Sequence, residues 1–236
     1  ACLASPDPEL RDKIAFEALT HMLRGRQLSA PTQKALLADL VARLDAPAGQ
    51  GFEQPFAALA LSEVARADRV EAFLTEDELI KLLVDAQHWF INVSDYRGYD
   101  AAEGWRHGVA HGADLLMQLA LNPRIDAEGL SVIVSAVGAQ AAPKGHAYVF
   151  GESERLARPV LIAAGRGALD QAKWSEWLKV MATPPEGVEP FGEAWLAWRH
   201  NATAFLQALY VNVTLGGDAG DDVLRPGLEA ALKALP

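Results

Sequence analysis

Apolar residues recur along this chain at the three- and four-residue spacing of amphipathic helices, in one segment after another. Leu36, Leu40 and Leu44 form one such stripe. The longest apolar run, around residues 130–137, is far shorter than the roughly 20 residues needed to cross a bilayer. We therefore expect helices that bury one face, and no membrane span.

Helix-starting signals separate these segments. Asp7-Pro8 and Ala30-Pro31 place proline in a first helical turn, Thr75 and Glu78 have the spacing of a capping box, and Asp126 and Asp170 are N-cap residues. Together with the apolar spacing, they predict helices over about residues 8–26, 30–44, 55–67, 76–93, 102–121, 126–140, from 152, 170–183, 191–213 and after 222.

The pattern is that of an all-α protein. About ten helices joined by short loops can form a bundle, an α/α toroid or a solenoid. Because the loops are short, we expect antiparallel pairs in an α/α superhelix or solenoid-like arrangement, although no repeat of fixed period is visible. No domain-sized linker occurs, so residues 1–236 are expected to form a single all-helical domain.

Net charge, cysteine content and the absence of a signal segment limit the possible partners, cross-links and locations. The net charge of -10 repels phosphate backbones, so nucleic acid is not an expected partner. Cys2 is the only cysteine, which excludes a disulfide within the chain. The given residues contain no signal segment, which fits a soluble protein that is cytoplasmic or is exported after loss of a leader.

The most distinctive stretch lies between residues 95 and 116. His107 and His111 stand four residues apart, Asp114 follows three residues later, and glycines occur at 104, 108 and 112. On the helix expected over 102–121, the two histidines and Asp114 share one narrow polar stripe, opposite an apolar face. An ordinary solvent-exposed face would carry lysine and glutamate, so this stripe is expected to face a groove or another helix.

Two chemical interpretations of this stripe remain open. Imidazoles at positions i and i+4 can bind one divalent transition metal, with Asp114 as a third ligand or as an orienting group. Gly108 stands where the helical metalloprotease motif has its catalytic glutamate, so that motif is incomplete. In the other interpretation, His107 and His111 are hydrogen-bonded in a polar seam between helices. The glycines then leave space for a closely packed helix or for a ligand.

Other polar residues extend the candidate site. Asp95 and Arg97 precede the expected helix, and His200 and Asn201 lie in the long aromatic helix. These four residues, together with His107, His111 and Asp114, are our candidate lining of a ligand-binding groove. No glycine-rich phosphate loop, nucleophile elbow or Cys-His arrangement is present to indicate a catalytic residue.

Four segments resemble a known family. They are Asp-Pro-Glu-Leu-Arg-Asp (7–12), Asp-Tyr-Arg-Gly-Tyr (95–99), Gly-Trp-Arg-His-Gly-Val-Ala-His-Gly-Ala-Asp-Leu-Leu (104–116) and His-Asn-Ala-Thr-Ala-Phe-Leu-Gln-Ala-Leu-Tyr (200–210). These segments resemble the bacterial domain-of-unknown-function family 2785, except that Arg106 stands where the family pattern has alanine. The resemblance implies a single helical domain, and the family has no activity to carry over.

Two functional hypotheses follow. The first is a protein that binds a small ligand or a protein partner in the polar groove. The second is a metal-dependent enzyme of hydrolase type, with His107 and His111 as ligands and Asp114 or Asp95 completing the site. Reaction, substrate and oligomeric state are not indicated by the sequence.

Overall fold

A computed structural model describes residues 2–218 and 220–236. A 3-10 turn, Cys2–Ala4, and a π-helical segment, Glu9–Phe16, come first. Ten α-helices follow in the described residues: α1 Glu17–Arg24, α2 Ala30–Leu44, α3 Glu53–Val70, α4 Glu76–Ile91, α5 Gly108–Ala120, α6 Ala127–Ala141, α7 Glu152–Gly165, α8 Gln171–Met181, α9 Glu193–Leu215 and α10 Asp221–Ala234. The all-α prediction is confirmed.

The predicted helix starts are formed by the side chains that the sequence indicated. Thr75 accepts a hydrogen bond from the Glu78 amide at 3.2 Å, and the Glu78 carboxylate accepts one from the Thr75 amide at 2.7 Å. Asp126 and Asp170 each accept a bond from the backbone three residues on. These bonds satisfy amide groups that the first helical turn leaves without a partner, so α4, α6 and α8 begin close to their predicted residues.

The helix predicted over residues 102–121 begins six residues late, which corrects the sequence-based start. Strands β1, Tyr99–Asp100, and β2, Gly104–Trp105, form a short antiparallel hairpin before α5. The Asp100 carboxylate accepts bonds from the Glu103 and Ala102 amides, which turns the chain and lowers the pKa of Asp100. Gly104 has a φ of +76°, a left-handed conformation that a helix does not contain.

The chain folds into two compact units, and the first ends at Ile125. In this unit α3 packs most extensively on α5, while α2 packs on α3 and α4 packs on α5. The core of α3 includes Phe56, Leu61 and Val64, all almost fully buried. Helix α5 is buried along most of its length, on its polar stripe as well as on its apolar face, so it is a central helix of this unit.

The second unit, Asp126–Pro236, contains α6 to α10. Helix α10 packs on α8 and α9, while α7 packs on α6 and α9. Trp174 is completely buried, and its ring lies 5.7 Å from the ring of Trp177, which in turn lies 6.1 Å from Phe205. Trp174 of α8 therefore belongs to the core of this unit, and the partly buried Trp177 packs beside it.

The single domain over residues 1–236 and the superhelical arrangement of helix pairs stay predictions. Among the helices of the described residues, none combines the length and the apolar character needed to cross a membrane.

Candidate functional site

His107 lies at the junction between the hairpin and α5, not inside the helix. It is the N-cap residue and adopts a left-handed conformation with φ 54° and ψ 41°. Its amide donates to the Arg97 carbonyl at 3.0 Å, and its carbonyl accepts from the His111 amide at 3.0 Å. His107 therefore ends the hairpin and starts the helix, and its left-handed backbone is an uncommon conformation for a residue other than glycine.

The three residues of the predicted stripe are all buried. Their exposed fractions are 8% for His107, 7% for His111 and 9% for Asp114. The ring of His107 lies 6.0 Å from the ring of His111. The structure thus brings the two histidines together in the interior of the first unit.

His111 links α5 to the start of α3. Its Nδ1 donates to the carbonyl oxygen of Pro55 at 3.2 Å, and its ring meets the ring of Phe56 edge-on at 5.1 Å. A carbonyl oxygen can only accept, so Nδ1 carries the proton in this contact. His111 therefore positions the first turn of α3, in line with the polar seam between helices considered above.

Gly112 allows α4 to approach α5 closely. A Cβ atom at this position would lie 2.3 Å from Cδ2 and 2.7 Å from Cε2 of Phe90, and 3.0 Å from the Trp89 ring. At Gly108 the nearest atoms to such a Cβ are 3.5 Å away, on Pro55 and Val93, which is ordinary contact. Helix packing thus explains Gly112 and does not explain Gly108.

A row of aromatic rings runs from the surface into the first unit. Tyr99 and Trp105 on the hairpin are 50% and 37% exposed, and their rings lie 5.0 Å apart. Trp105 stacks on His107 at 4.7 Å with an interplanar angle of 20°, and His111 and Phe56 continue the row inward. The stacked Trp105 covers one face of the His107 ring.

Asp95 and Arg97 form an ion pair upstream of the hairpin. Arg97 Nε donates to Asp95 Oδ1 at 2.8 Å, and Arg97 Nη2 donates to Asp95 Oδ2 at 2.5 Å. Burial alone would raise the pKa of Asp95, but hydrogen bonds from the Arg97 side chain and backbone outweigh it, so the pKa is lowered. The pair lies against Gly51, where a Cβ would be 2.5 Å from both side chains. Asp95 thus carries its charge at neutral pH.

Two buried arginines support the hairpin. The guanidinium carbons of Arg11 and Arg106 each lie 4.2 Å from the centroid of the Phe52 ring. Arg11 is completely buried and donates to the Glu103 carbonyl at 2.9 Å, while Arg106 donates to the Gln50 carbonyl at 2.9 Å. In the sequence, the only signal for Arg11 was its place in the segment 7–12 that resembles the family.

A cavity of about 390 Å³ opens beside the first turn of α5. The distinctive stretch contributes Asp95 and Gly108 to its wall. The rest of the wall comes from the α2–α3 connection, the start of α3 and the end of α4, through Leu44, Asp45, Ala48, Gly51, Gln54, Pro55, His88, Trp89, Asn92, Val93 and Ser94. This volume is in the range of small-molecule sites.

The geometry does not favour a metal centre. Within residues 2–218 and 220–236, no group of three or more His, Cys, Asp or Glu side chains is arranged to hold a metal ion. Nδ1 of His111 donates to a carbonyl oxygen, which leaves only Nε2 of this ring as a candidate ligand. The proposed set of His107, His111 and Asp114 therefore gains no support from this arrangement.

His200 and Asn201 lie in the second unit, on α9. Asn201 is completely buried, accepts from the Tyr148 amide at 2.8 Å, and donates to the carbonyls of Pro143 and His146 at 3.0 and 2.7 Å. His200 Nε2 donates to the Tyr148 carbonyl at 2.9 Å. Both residues hold the 143–148 loop against α9, and their sharing of a groove with the α5 residues stays a prediction.

The comparison with protein families gives one match. The model of a protein of unknown function, DUF2785, matches residues 40–211, which includes the hairpin, α5 and the His200-Asn201 segment. No curated protein matches this chain. No solved structure matches it either. Because the family model covers well over half of the chain, the protein belongs to the DUF2785 family of proteins of unknown function.

Proposed function

We propose that this protein binds a small polar ligand in the cavity of about 390 Å³ beside the first turn of α5. The observation that carries the proposal is the position of that cavity: it opens where the most distinctive stretch of the sequence meets the helix ends of α3 and α4. A concave site that combines apolar surface with a few polar groups is the usual form of a small-molecule site.

The wall of the cavity favours a ligand with a positively charged or hydrogen-bond-donating group. Asp45 supplies an exposed carboxylate, Asp95 supplies one that is already paired with Arg97, and Trp89 and Leu44 supply apolar surface. Among the described residues, no lysine or arginine lines this cavity. An amine could pair with Asp45 while its carbon skeleton contacts the Trp89 ring.

His111 and Gly108 of α5 would then support and shape the cavity. His111 holds the carbonyl of Pro55, and Pro55 is part of the cavity wall. Gly108 lines the cavity, and a side chain there would project toward Pro55 and Val93. A bound ligand would explain why position 108 is a glycine, which helix packing does not, because the ligand needs the space that a side chain would occupy.

The test is a binding screen of small amines and guanidines, with size-matched carboxylates, observed by ligand-based NMR on the full chain. We expect saturable binding of at least one amine. Asp45→Asn should weaken that amine about tenfold, the usual effect of losing one charged partner. Ala48→Trp should abolish binding by filling the cavity from its exposed loop.

Asp222→Asn is the matched control, since it removes an exposed carboxylate in the second unit. It should leave amine binding unchanged. Equal binding by wild type, Asp45→Asn and Ala48→Trp would place the ligand elsewhere and overturn the proposal.

A further inference from the structure

A second cavity of the first unit has the opposite charge. It has a volume of about 530 Å³ and lies between the α1–α2 connection and the C-terminal end of α3. Arg24, Arg26 and Arg66 line it, together with a single carboxylate, Glu71. Three guanidinium groups in one concavity stand out in a chain whose net charge is -10.

Arg26 occupies a backbone position that normally belongs to glycine. The amide of Gln27 donates to the Met22 carbonyl at 2.9 Å and the amide of Arg26 donates to the Leu23 carbonyl at 3.1 Å, which is the Schellman pattern at the end of α1. The left-handed residue of this pattern is Arg26, with a φ of 55°, although Gly25 precedes it directly. The backbone conformation therefore does not explain the arginine.

An ion pair does not explain Arg26 either. Its guanidinium lies 3.5 Å from the Glu71 carboxylate, and both side chains are about two-thirds exposed, at 67% and 71%. Exposed pairs of this kind contribute little to stability. A strained residue whose side chain lines a cavity is a reasonable sign of function.

Arg24 and Arg66 differ in their pairing within the fold. Arg24 is paired with Glu63 at 2.6 Å, and this hydrogen bond raises the pKa of Arg24. For Arg66, no hydrogen bond or ion pair to any other described residue exists. Leu28, Val70 and Phe73 give the same cavity an apolar side.

We propose that this cavity binds a small organic anion. Its phosphate or carboxylate oxygens would contact Arg66 and Arg26, since a guanidinium presents several donors in a planar fork that matches an oxyanion. Its apolar part would contact Leu28, Val70 and Phe73. This site is independent of the amine site proposed above, because its charge is opposite and it shares no lining residue with that cavity.

The experiment titrates the full chain at low salt with phenyl phosphate, benzoate and uncharged benzyl alcohol. Calorimetry and NMR measure the binding. We expect saturable binding of one or both anions and none of benzyl alcohol. The tighter of the two anions identifies the oxyanion. Arg66→Gln should weaken binding about tenfold or more, and Arg66→Lys should restore part of the loss because it keeps the charge.

Arg26→Gly separates binding from folding. Glycine suits the left-handed position, so the thermal midpoint should stay the same or rise, while anion affinity falls about tenfold. Phe191→Gly is the matched control, since Phe191 is also left-handed, with a φ of 64°, and lies in the second unit. Unchanged affinity in both Arg66→Gln and Arg26→Gly, or no saturable binding of either anion to the wild type, would overturn the proposal.

Discussion

Single residues of the distinctive stretch have different physical roles. Gly112 leaves room for the Phe90 ring, His111 holds a carbonyl of α3, and His107 turns the chain from hairpin to helix. Asp95 is held by Arg97 at the cavity wall. Helical spacing placed several of these residues in one group, but their roles differ, so single substitutions should have different effects.

Gly112→Ala should destabilise the protein by about 1–3 kcal/mol, because its new methyl group would overlap the Phe90 ring in a packed core. Gly108→Ala is the control on the same helix, where a methyl group meets only ordinary contacts. Its stability should be unchanged or raised by up to about 1 kcal/mol, since alanine favours helix over glycine. Urea unfolding compares the two, and equal stabilities would contradict the packing argument.

The ion pair of Asp95 predicts a pH dependence. Because the pKa of Asp95 is lowered in the folded protein, the charged form contributes stability that is fully present above the ordinary aspartate pKa of about 3.9. This stability is lost as the pH falls through the lowered value. We expect wild type to be more stable than Asp95→Asn at pH 7, and the two to converge in acid. A difference that does not shrink as the pH falls below about 3.9 would contradict this assignment.

At the scale of elements, the hairpin depends on a segment far away in sequence. Arg11 donates to the carbonyls of Ser5 and Glu103, lies over Phe52, and is completely buried. The π-helical segment Glu9–Phe16 that carries it is thereby joined to the turn of the hairpin. The hairpin in turn sets the first residue of α5.

Arg11→Met should therefore loosen the hairpin as well as destabilise the fold. Methionine keeps much of the volume but leaves several carbonyl oxygens without a donor, at a cost of about 2–4 kcal/mol. The amides of Arg106 and His107, which bond to the carbonyls of Gly98 and Arg97, should exchange their hydrogens faster. Lys13→Met, at an exposed position of the same segment, should leave that exchange unchanged. Equal exchange in both variants would remove Arg11 from this role.

At the scale of the whole molecule, the question is whether the two compact units, which meet in the sequence at Ile125 and Asp126, form one domain. Ile125 is completely buried, and Asp126 is the N-cap of α6. Domain boundaries usually lie in exposed, flexible linkers. We retain the prediction of one domain over residues 1–236.

One domain should unfold in one transition. Trp89 and Trp105 report on the first unit, so the double variant Trp89→Phe and Trp105→Phe leaves only the tryptophans of the second unit as fluorescent probes. We expect its fluorescence and its far-UV circular dichroism to change at the same urea concentration. Two separate midpoints would show two independently folding domains.

The features that could be predicted from the sequence depend on interactions between residues that are close together in the chain. The capping box of Thr75, the N-caps of Asp126 and Asp170 and the apolar spacing act over a few residues, so the sequence by itself determined the all-α class and most helix starts. The prediction of a candidate site near α5 rests on unusual local composition, and the family match over residues 40–211 includes this segment.

Only the tertiary structure decided the rest. The hairpin before α5 depends on Arg11, about 90 residues earlier, and helical spacing could not show that His107 precedes the helix. The cavity walls come from segments distant in sequence, and the role of Gly112 is visible only beside Phe90. Such features depend on contacts between distant residues, which the spacing of residues along one helix does not encode.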